Sequence, residues 1–302
     1  MTFEAQGVLR ELKHLVKEVK VKSVLVKSRA RDPWFLSDYS VNPYWNCQFN
    51  CIYCYIHGGR YAPPTSMLAA KVNAPEVLEK ELLKRARRGE HGFIALSSST
   101  EPWMPVEEKY ELTRRCLRAI SNFSFPVHCL TKSTLILRDL DLLEEVDRRA
   151  VLPRDLRSIG RGVLVTFSMS TINEEEARIF EPGAPKPSDR LKALLKVKER
   201  GLCAGVAFIP VLPFISDSHD SLKAMVREAR NHGADYVFVG GLTLHGEGRE
   251  LYLRTIERHY PHLKERYREL FEKPSLAGYY SRLEATAREV CKSLGVKYRI
   301  LG

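Results

Sequence analysis

No uninterrupted apolar run in the sequence approaches the roughly 20 residues that a bilayer-spanning helix needs. The opening Met1-Thr2-Phe3-Glu4 lacks the charged-then-apolar pattern of an export leader. The expectation is a cytoplasmic protein with no membrane partner. Cysteine is scarce, 7 in 302 residues, which excludes a disulfide scaffold. Low-complexity tracts and domain-splitting linkers are absent, as is any internal repeat beyond a recurring strand-helix unit. Acidic residues fall short of basic ones, 37 against 48, leaving a formal net charge of +11.

What is present is enough apolar material, 44% of the chain, for a sizeable core. A single α/β barrel of this length is ordinary. The basic balance favours nucleic acid or another polyanion as partner. A second reading is open: Lys and Arg alternate with Glu along most helical stretches, so the charge equally describes a solvated, heat-adapted surface.

Three of the cysteines are concentrated in Cys47-Gln48-Phe49-Asn50-Cys51-Ile52-Tyr53-Cys54, a C-x3-C-x2-C arrangement. Thiolates this close converge on one metal centre at little cost in chain entropy. Three thiolates on a four-iron cluster would leave one iron without a protein ligand. Two other readings compete. His57 follows Cys54 closely, so a zinc site of three cysteines and one histidine is possible on ligand inventory. A disulfide with a spare thiol is the weakest, given the compartment expected above.

Along the chain, residues 4–20 carry Leu9, Leu12, Val16 and Val19 on one helical face and read as a helix. A short strand follows over 22–27, then a loop with Arg29, Arg31 and Trp34. Residues 38–46 should be the first core strand, which puts the cysteines on the loop at its C-terminal end. After a loop carrying His57, Gly58, Gly59, Arg60, Pro63 and Pro64, helices are expected over 75–88, 105–122, 140–150, 173–180, 188–200, 219–232, 249–271 and 280–294. Apolar runs over 92–97, 126–130, 162–168, 203–210 and 235–239 read as buried strands between them, with a closing strand over 296–300. Six strand-helix units in this order predict parallel β/α winding. The expected organisation is an N-terminal extension over 1–37, a core over 38–245 and a helical extension over 246–302.

The cysteine spacing, with Tyr53 before the last cysteine, resembles the signature of the radical S-adenosylmethionine (SAM) enzymes. The resemblance implies a partial (β/α)6 TIM-type barrel with N- and C-terminal helical extensions. It also implies a 4Fe-4S cluster on Cys47, Cys51 and Cys54, SAM as second cofactor, and an electron donor of the flavodoxin or ferredoxin type. The cofactor would sit at the C-terminal ends of the strands. There the sequence offers Ser97, Ser98, Ser99, Thr100 and Glu101 after the second strand, as acceptors for the SAM amino group; the same run also reads as a helix start. Where the family commonly has Gly-Gly-Glu, this loop has serines and a threonine. Lys132 after the third strand is a cation for the SAM carboxylate, or a solvated lysine beside the helix cap Ser133. Ser168 and Ser170 share a face at the end of the fourth strand and suit ribose or carboxylate. Arg190 is a candidate carboxylate clamp. Ile209 to Pro213 forms an apolar edge for adenine, or simply core.

The run Thr100-Glu101-Pro102-Trp103-Met104-Pro105-Val106-Glu107, the Thr131-Lys132-Ser133 step, and Glu181-Pro182-Gly183-Ala184-Pro185 with Arg190-Leu191 resemble the spore photoproduct lyase-like branch over residues 24–245. In the lyase a cysteine in the loop after the second strand returns a hydrogen atom to the repaired thymine. This chain has Ser97, Ser98 and Ser99 there, while Cys116, Cys129, Cys203 and Cys291 read as buried small hydrophobes. The resemblance therefore implies a relative with its own substrate, with DNA or RNA the first choice. Arg254, Arg258, His259, Tyr260, Arg266 and Tyr267 are aromatic-basic candidates for strand contact, or the polar face of an amphipathic helix. Tyr55, close to the cysteines, is a candidate radical-handling residue or a packed tyrosine. A zinc- or cluster-stabilised nucleic-acid-binding protein without catalysis is the rival reading; the polar residues at the strand ends argue against it.

Overall fold

The computed structural model describes residues 16–58, 62, 67–272 and 275–301. Residues 1–15, and with them most of the helix expected over 4–20, lie outside the described residues. What is described of that stretch corrects the expectation. Lys17–Val19 forms a strand, β1, paired in parallel with Ala69–Lys71. A long-range pairing partner has overridden a helical pattern, as tertiary context commonly does.

In chain order there follow β2 (Leu25–Lys27), β3 (Ser37–Val41), β4 (Tyr44–Trp45), β5 (Ala69–Lys71), helix α1 (Ala74–Ala86) and β6 (Phe93–Leu96). Next come α2 (Glu107–Tyr110), α3 (Leu112–Asn122), β7 (Val127–Thr131), α4 (Leu140–Arg149), β8 (Val163–Met169), α5 (Glu174–Phe180) and α6 (Pro187–Glu199). The chain continues with β9 (Cys203–Phe208), α7 (His219–Asn231), β10 (Tyr236–Val239), α8 (Gly246–His259), α9 (Lys264–Glu272), α10 (Ser275–Ser293) and β11 (Lys297–Tyr298). The main sheet has eight strands in the order β11-β10-β9-β8-β7-β6-β3-β2. Only the β2–β3 pair is antiparallel; the remaining pairs are parallel. This is the expected parallel α/β winding as an open, partial barrel, with β11 lengthening one edge rather than closing the ring. A second sheet of three strands, β1-β5-β4, stands beside it.

Two expected helices are broken, each for a physical reason. The 105–122 stretch divides at Glu111, whose φ of 48° is left-handed. The cause is the buried Glu107 carboxylate, which accepts from the amides of Thr113 (3.0 Å) and Arg114 (3.1 Å) and so caps α3 from one turn back. The 249–271 stretch divides at Pro261, which lacks the amide an unbroken helix needs.

The core has two sides. Val127 and Cys129 of β7, Val165 and Phe167 of β8, and Val206 and Phe208 of β9 pack against the helices. Strand alternation turns their neighbours to the concave side. There the segment before β3 acts as a plug against β7 and β10. Trp34 stacks on Phe238 with centroids 6.0 Å apart, and the Arg299 guanidinium lies over its ring at 4.3 Å. The carbonyl of Phe35 accepts from His128 Nδ1 at 2.8 Å. That leaves Nε2 to accept from the Thr166 hydroxyl at 2.6 Å, with Tyr236 OH 2.8 Å beyond.

Burial therefore holds His128 neutral, pulling its pKa from 6.5 to about 4 against the Phe35 hydrogen bond and the charge of Asp32. The unfolded chain binds this proton at higher pH than the folded one. Stability from the neutral ring is complete above the unfolded pKa and is lost as pH falls through the window between the two values. The expected loss is about 3 kcal/mol. Urea midpoints measured from neutral pH down to the lower end of that window should fall, and His128→Gln should flatten part of the decline. Equal slopes for both proteins would contradict the assignment.

Candidate active site

The cysteine loop leaves β4 at the C-terminal ends of the parallel strands. Asn46 and Asn50, each directly before a cysteine, adopt left-handed φ values of 63° and 46°. Asparagine tolerates this conformation better than most residues, so the two turns are built where the sequence permits them. Inside the loop the Cys54 amide donates to Cys51 O (3.0 Å) and the His57 amide to Cys54 O (3.1 Å).

The loop is held from outside by the end of α5 and the turn after it. Ile52 N donates to Phe180 O at 2.8 Å, and Gly183 N to Phe49 O at 3.0 Å. Gly183 lies so close that a Cβ there would sit 2.6 Å from Gln48 O and 2.8 Å from Phe49 Cα. Only glycine permits this approach. On the other flank Gln48 Oε1 accepts from Val106 N at 2.8 Å, and Tyr55 OH donates to the carbonyl of Ser98 in the loop after β6.

Cys51 is buried, and Cys47 and Cys54 are partly so. Burial pushes Cys47 up to about 12, with the Glu101 carboxylate adding to the rise. It raises Cys51 and Cys54 as well, opposed at both by the Lys132 charge. Backbone amides face the sulfurs: Phe49 N at 3.4 Å from Cys47 Sγ, Glu101 N also toward Cys47, and Ile56 N toward Cys54. Buried thiols met by peptide N–H groups suit an iron–sulfur cluster, whose charge would deprotonate them and whose sulfurs accept such bonds. Among the described residues no three His, Cys, Asp or Glu side chains, the three cysteines included, converge on one ion.

Around this loop the other candidates fall into three groups. Tyr53, Lys132 and Ser168 come together: Lys132 Nζ lies 5.7 Å over the Tyr53 ring and donates to Ser168 Oγ at 2.9 Å. Glu101 is occupied by the protein. Its Oε1 accepts from Thr131 Oγ1 (2.5 Å) and Trp103 N (3.1 Å), and its Oε2 from Lys132 N (2.8 Å). Burial raises its pKa against those three donors. Ser99 stands apart, its amide donating to Asn42 Oδ1 at 3.0 Å.

The third group is organised by Glu181, which sequence reasoning quoted only as part of a motif. Tyr53 OH donates to its Oε1, as does the amide of Ser170 at 3.0 Å, and Arg190 pairs with its Oε2 at 2.5 Å. Both side chains of the pair are fully buried. Burial pushes Glu181 up, but Arg190, Lys132 and the Tyr53 hydroxyl outweigh it and hold the carboxyl below its usual range. Arg190 is further fixed by the carbonyls of Pro185 (2.8 Å) and Ser168 (2.9 Å). Its neighbourhood to Pro185 was the one available signal, since a cation so close to a Pro-Gly turn has backbone to bind. The hydroxyls of Ser97, Thr100 and Ser170, with Glu181 Oε2 and Arg190 Nη2, are buried with no hydrogen-bond partner in the protein. Such groups call for a polar ligand.

The model of the radical SAM superfamily matches residues 41–223, and the chain belongs to that superfamily. Its members use a 4Fe-4S cluster and SAM. An uncharacterized protein of Mycobacterium tuberculosis is 31% identical over 272 residues, covering 87% of this chain and 75% of that protein. A radical SAM Nalpha-GlyT isomerase of a Pseudomonas phage is 25% identical over 214 residues, 70% of this chain and 41% of the phage protein. A spore photoproduct lyase variant superposes with a TM-score of 0.66 at 16% identity, covering 97% of this chain and 83% of the lyase. Another, solved with AdoMet and a dinucleoside spore photoproduct, gives 0.61 at 17% identity over 86% of this chain and 70% of the lyase. These two likenesses are of fold.

Gly183→Ala should push the Phe180–Gly183 turn off the cysteine loop while leaving the sheet intact. Anaerobically reconstituted variant is expected to lose iron to a chelator roughly tenfold faster than the parent, with little change in circular dichroism. Equal loss rates would show that this contact does not hold the loop.

Proposed function

We propose that this protein is a radical SAM enzyme in which Cys47, Cys51 and Cys54 hold three irons of the cluster and nucleic acid is the substrate. The observation that carries the reading is the cysteine loop itself. It sits at the carboxyl ends of the parallel strands, with peptide N–H groups on its sulfurs and buried, unpartnered hydroxyls on the next loops. When bound, the cluster and SAM supply a one-electron cleavage that gives methionine and a 5′-deoxyadenosyl radical able to take a hydrogen atom from a substrate.

The chain's residues bind, orient and exclude water. Lys132, steered by Tyr53 and Ser168, is the cation for the SAM carboxylate. Ser97, Thr100 and Ser170 offer the free hydroxyls for its amino and ribose groups. Glu101 fixes the Lys132 backbone and keeps one lone-pair direction for the amino group. Arg190 pairs with Glu181 through Nη1 and keeps Nη2, buried and without a protein partner, for a ligand carboxylate.

The net charge of +11 supports a nucleic-acid substrate. The loop after β6 carries serines, and Cys116 and Cys129 are buried, their thiols driven upward by burial. The reaction therefore differs from the lyase's in its hydrogen source. A low-potential reductant of flavodoxin or ferredoxin type and a cytoplasmic setting fit an oxygen-sensitive cluster. No described helix is long and apolar enough to cross a membrane.

The test is anaerobic. Iron and zinc are counted, the protein is reduced with SAM, and deoxyadenosine is assayed with and without single-stranded DNA or RNA. Iron near four per chain, deoxyadenosine formation raised by nucleic acid, and loss of both iron and product in Cys51→Ala are expected. One zinc per chain without deoxyadenosine would overturn the chemistry; product formation indifferent to nucleic acid would overturn the substrate.

A further inference from the structure

The cysteine loop is pressed against a buried ion pair. Glu181 and Arg190 are both without solvent exposure and face each other at 2.5 Å. The carboxylate lies on the loop side, joined to Tyr53, the residue between Cys51 and Cys54. The guanidinium lies behind, fixed by the carbonyls of Ser168 and Pro185. The pair is thus an oriented dipole with its negative end toward the sulfurs. In a dry interior a charge this near a redox centre acts at much lower dielectric than in water.

We propose that Glu181 and Arg190 are a positioning pair that also acts electrostatically. Through Tyr53 they hold the cysteine loop, and their dipole sets the reduction potential of the cluster it carries. The inference rests on the cluster assignment above. A fixed anion opposes the extra electron of the reduced cluster, and a fixed cation favours it. Glu181→Gln keeps an acceptor for Tyr53 and Ser170 but removes the negative end, so the midpoint potential rises. Arg190→Met removes the positive end, so it falls. Removing both charges brings it back toward the parent value. A role in shape alone loosens the loop in all three variants and gives no opposed pair of shifts.

The experiment is an EPR-monitored redox titration of the reconstituted full chain, its two single variants and the double variant Glu181→Gln/Arg190→Met, with SAM affinity measured alongside. Opposite shifts in the singles, a return in the double and SAM affinity within severalfold of the parent are expected. Shifts of the same sign, or none, would overturn the proposal. So would a large loss of SAM affinity confined to Arg190→Met, which would make Arg190 a ligand to SAM. Each single strands a buried charge. If neither folds, Tyr53→Phe keeps both charges and removes the hydrogen bond that shields Glu181. Its potential should then fall and its iron leave faster, whereas an unchanged potential would overturn the proposal. A parent protein with no reducible cluster would instead fail the assignment on which the proposal rests.

Discussion

Four contacts between the Phe180–Gly183 turn and the cysteine loop fix everything that the site does. Two are backbone hydrogen bonds, from Ile52 to Phe180 and from Gly183 to Phe49. The third is the Tyr53–Glu181 bond, and the fourth is the bare approach of Gly183 to Gln48 and Phe49. A loop with cysteines alone has many conformations, and ordering each residue costs on the order of 1–2 kcal/mol. The turn after α5 restrains those conformations. Glu181 in turn stays ionised in the interior because Arg190 neutralises it and two donors solvate it.

A second buried network does the same for the loop after β6. Trp103 Nε1 donates to Asp139 Oδ2 at 2.8 Å, and Asp139 is paired with Arg114 (2.7 Å) and Arg138 (2.9 Å). Arg138 also pairs with Glu107 at 2.8 Å, and Glu107 accepts from Tyr44 OH. Tyr44 sits just before the cysteines, so the network ties the two loops that flank the site. Charges so placed are costly to strip of partners, which makes the arrangement all-or-none. Surface ion pairs such as Arg149–Glu145 contribute little by comparison.

Most of the sheet was readable because parallel strands are buried on both faces and so appear as short apolar runs between helical patterns. Phe93–Leu96 and Tyr236–Val239 are clear cases. Pairing between distant segments was not readable: nothing local in Lys17–Val19 announces Ala69–Lys71 as its partner. The break at Glu111 was hidden because its cause, Glu107, acts by reaching past a turn to cap α3. At the site, the cysteine loop was legible from spacing, Lys132 from its place just after β7 and Ser168 from its place near the end of β8. Glu181 was not, since a single carboxylate beside a proline reads as solvent-facing until Tyr53 and Arg190 are seen to close on it. The plug of Trp34 and Phe35 escaped for the same reason, its partners Phe238, His128 and Arg299 being spread over the chain.

In the proposed reading the three-cysteine loop carries a cluster with one iron left open to SAM. The most direct measurement is the EPR spectrum of the reduced, reconstituted protein before and after SAM is added. A 4Fe-4S signal whose g-values change on addition is expected, because SAM would bind the iron that no cysteine holds. A cluster signal untouched by saturating SAM would contradict it.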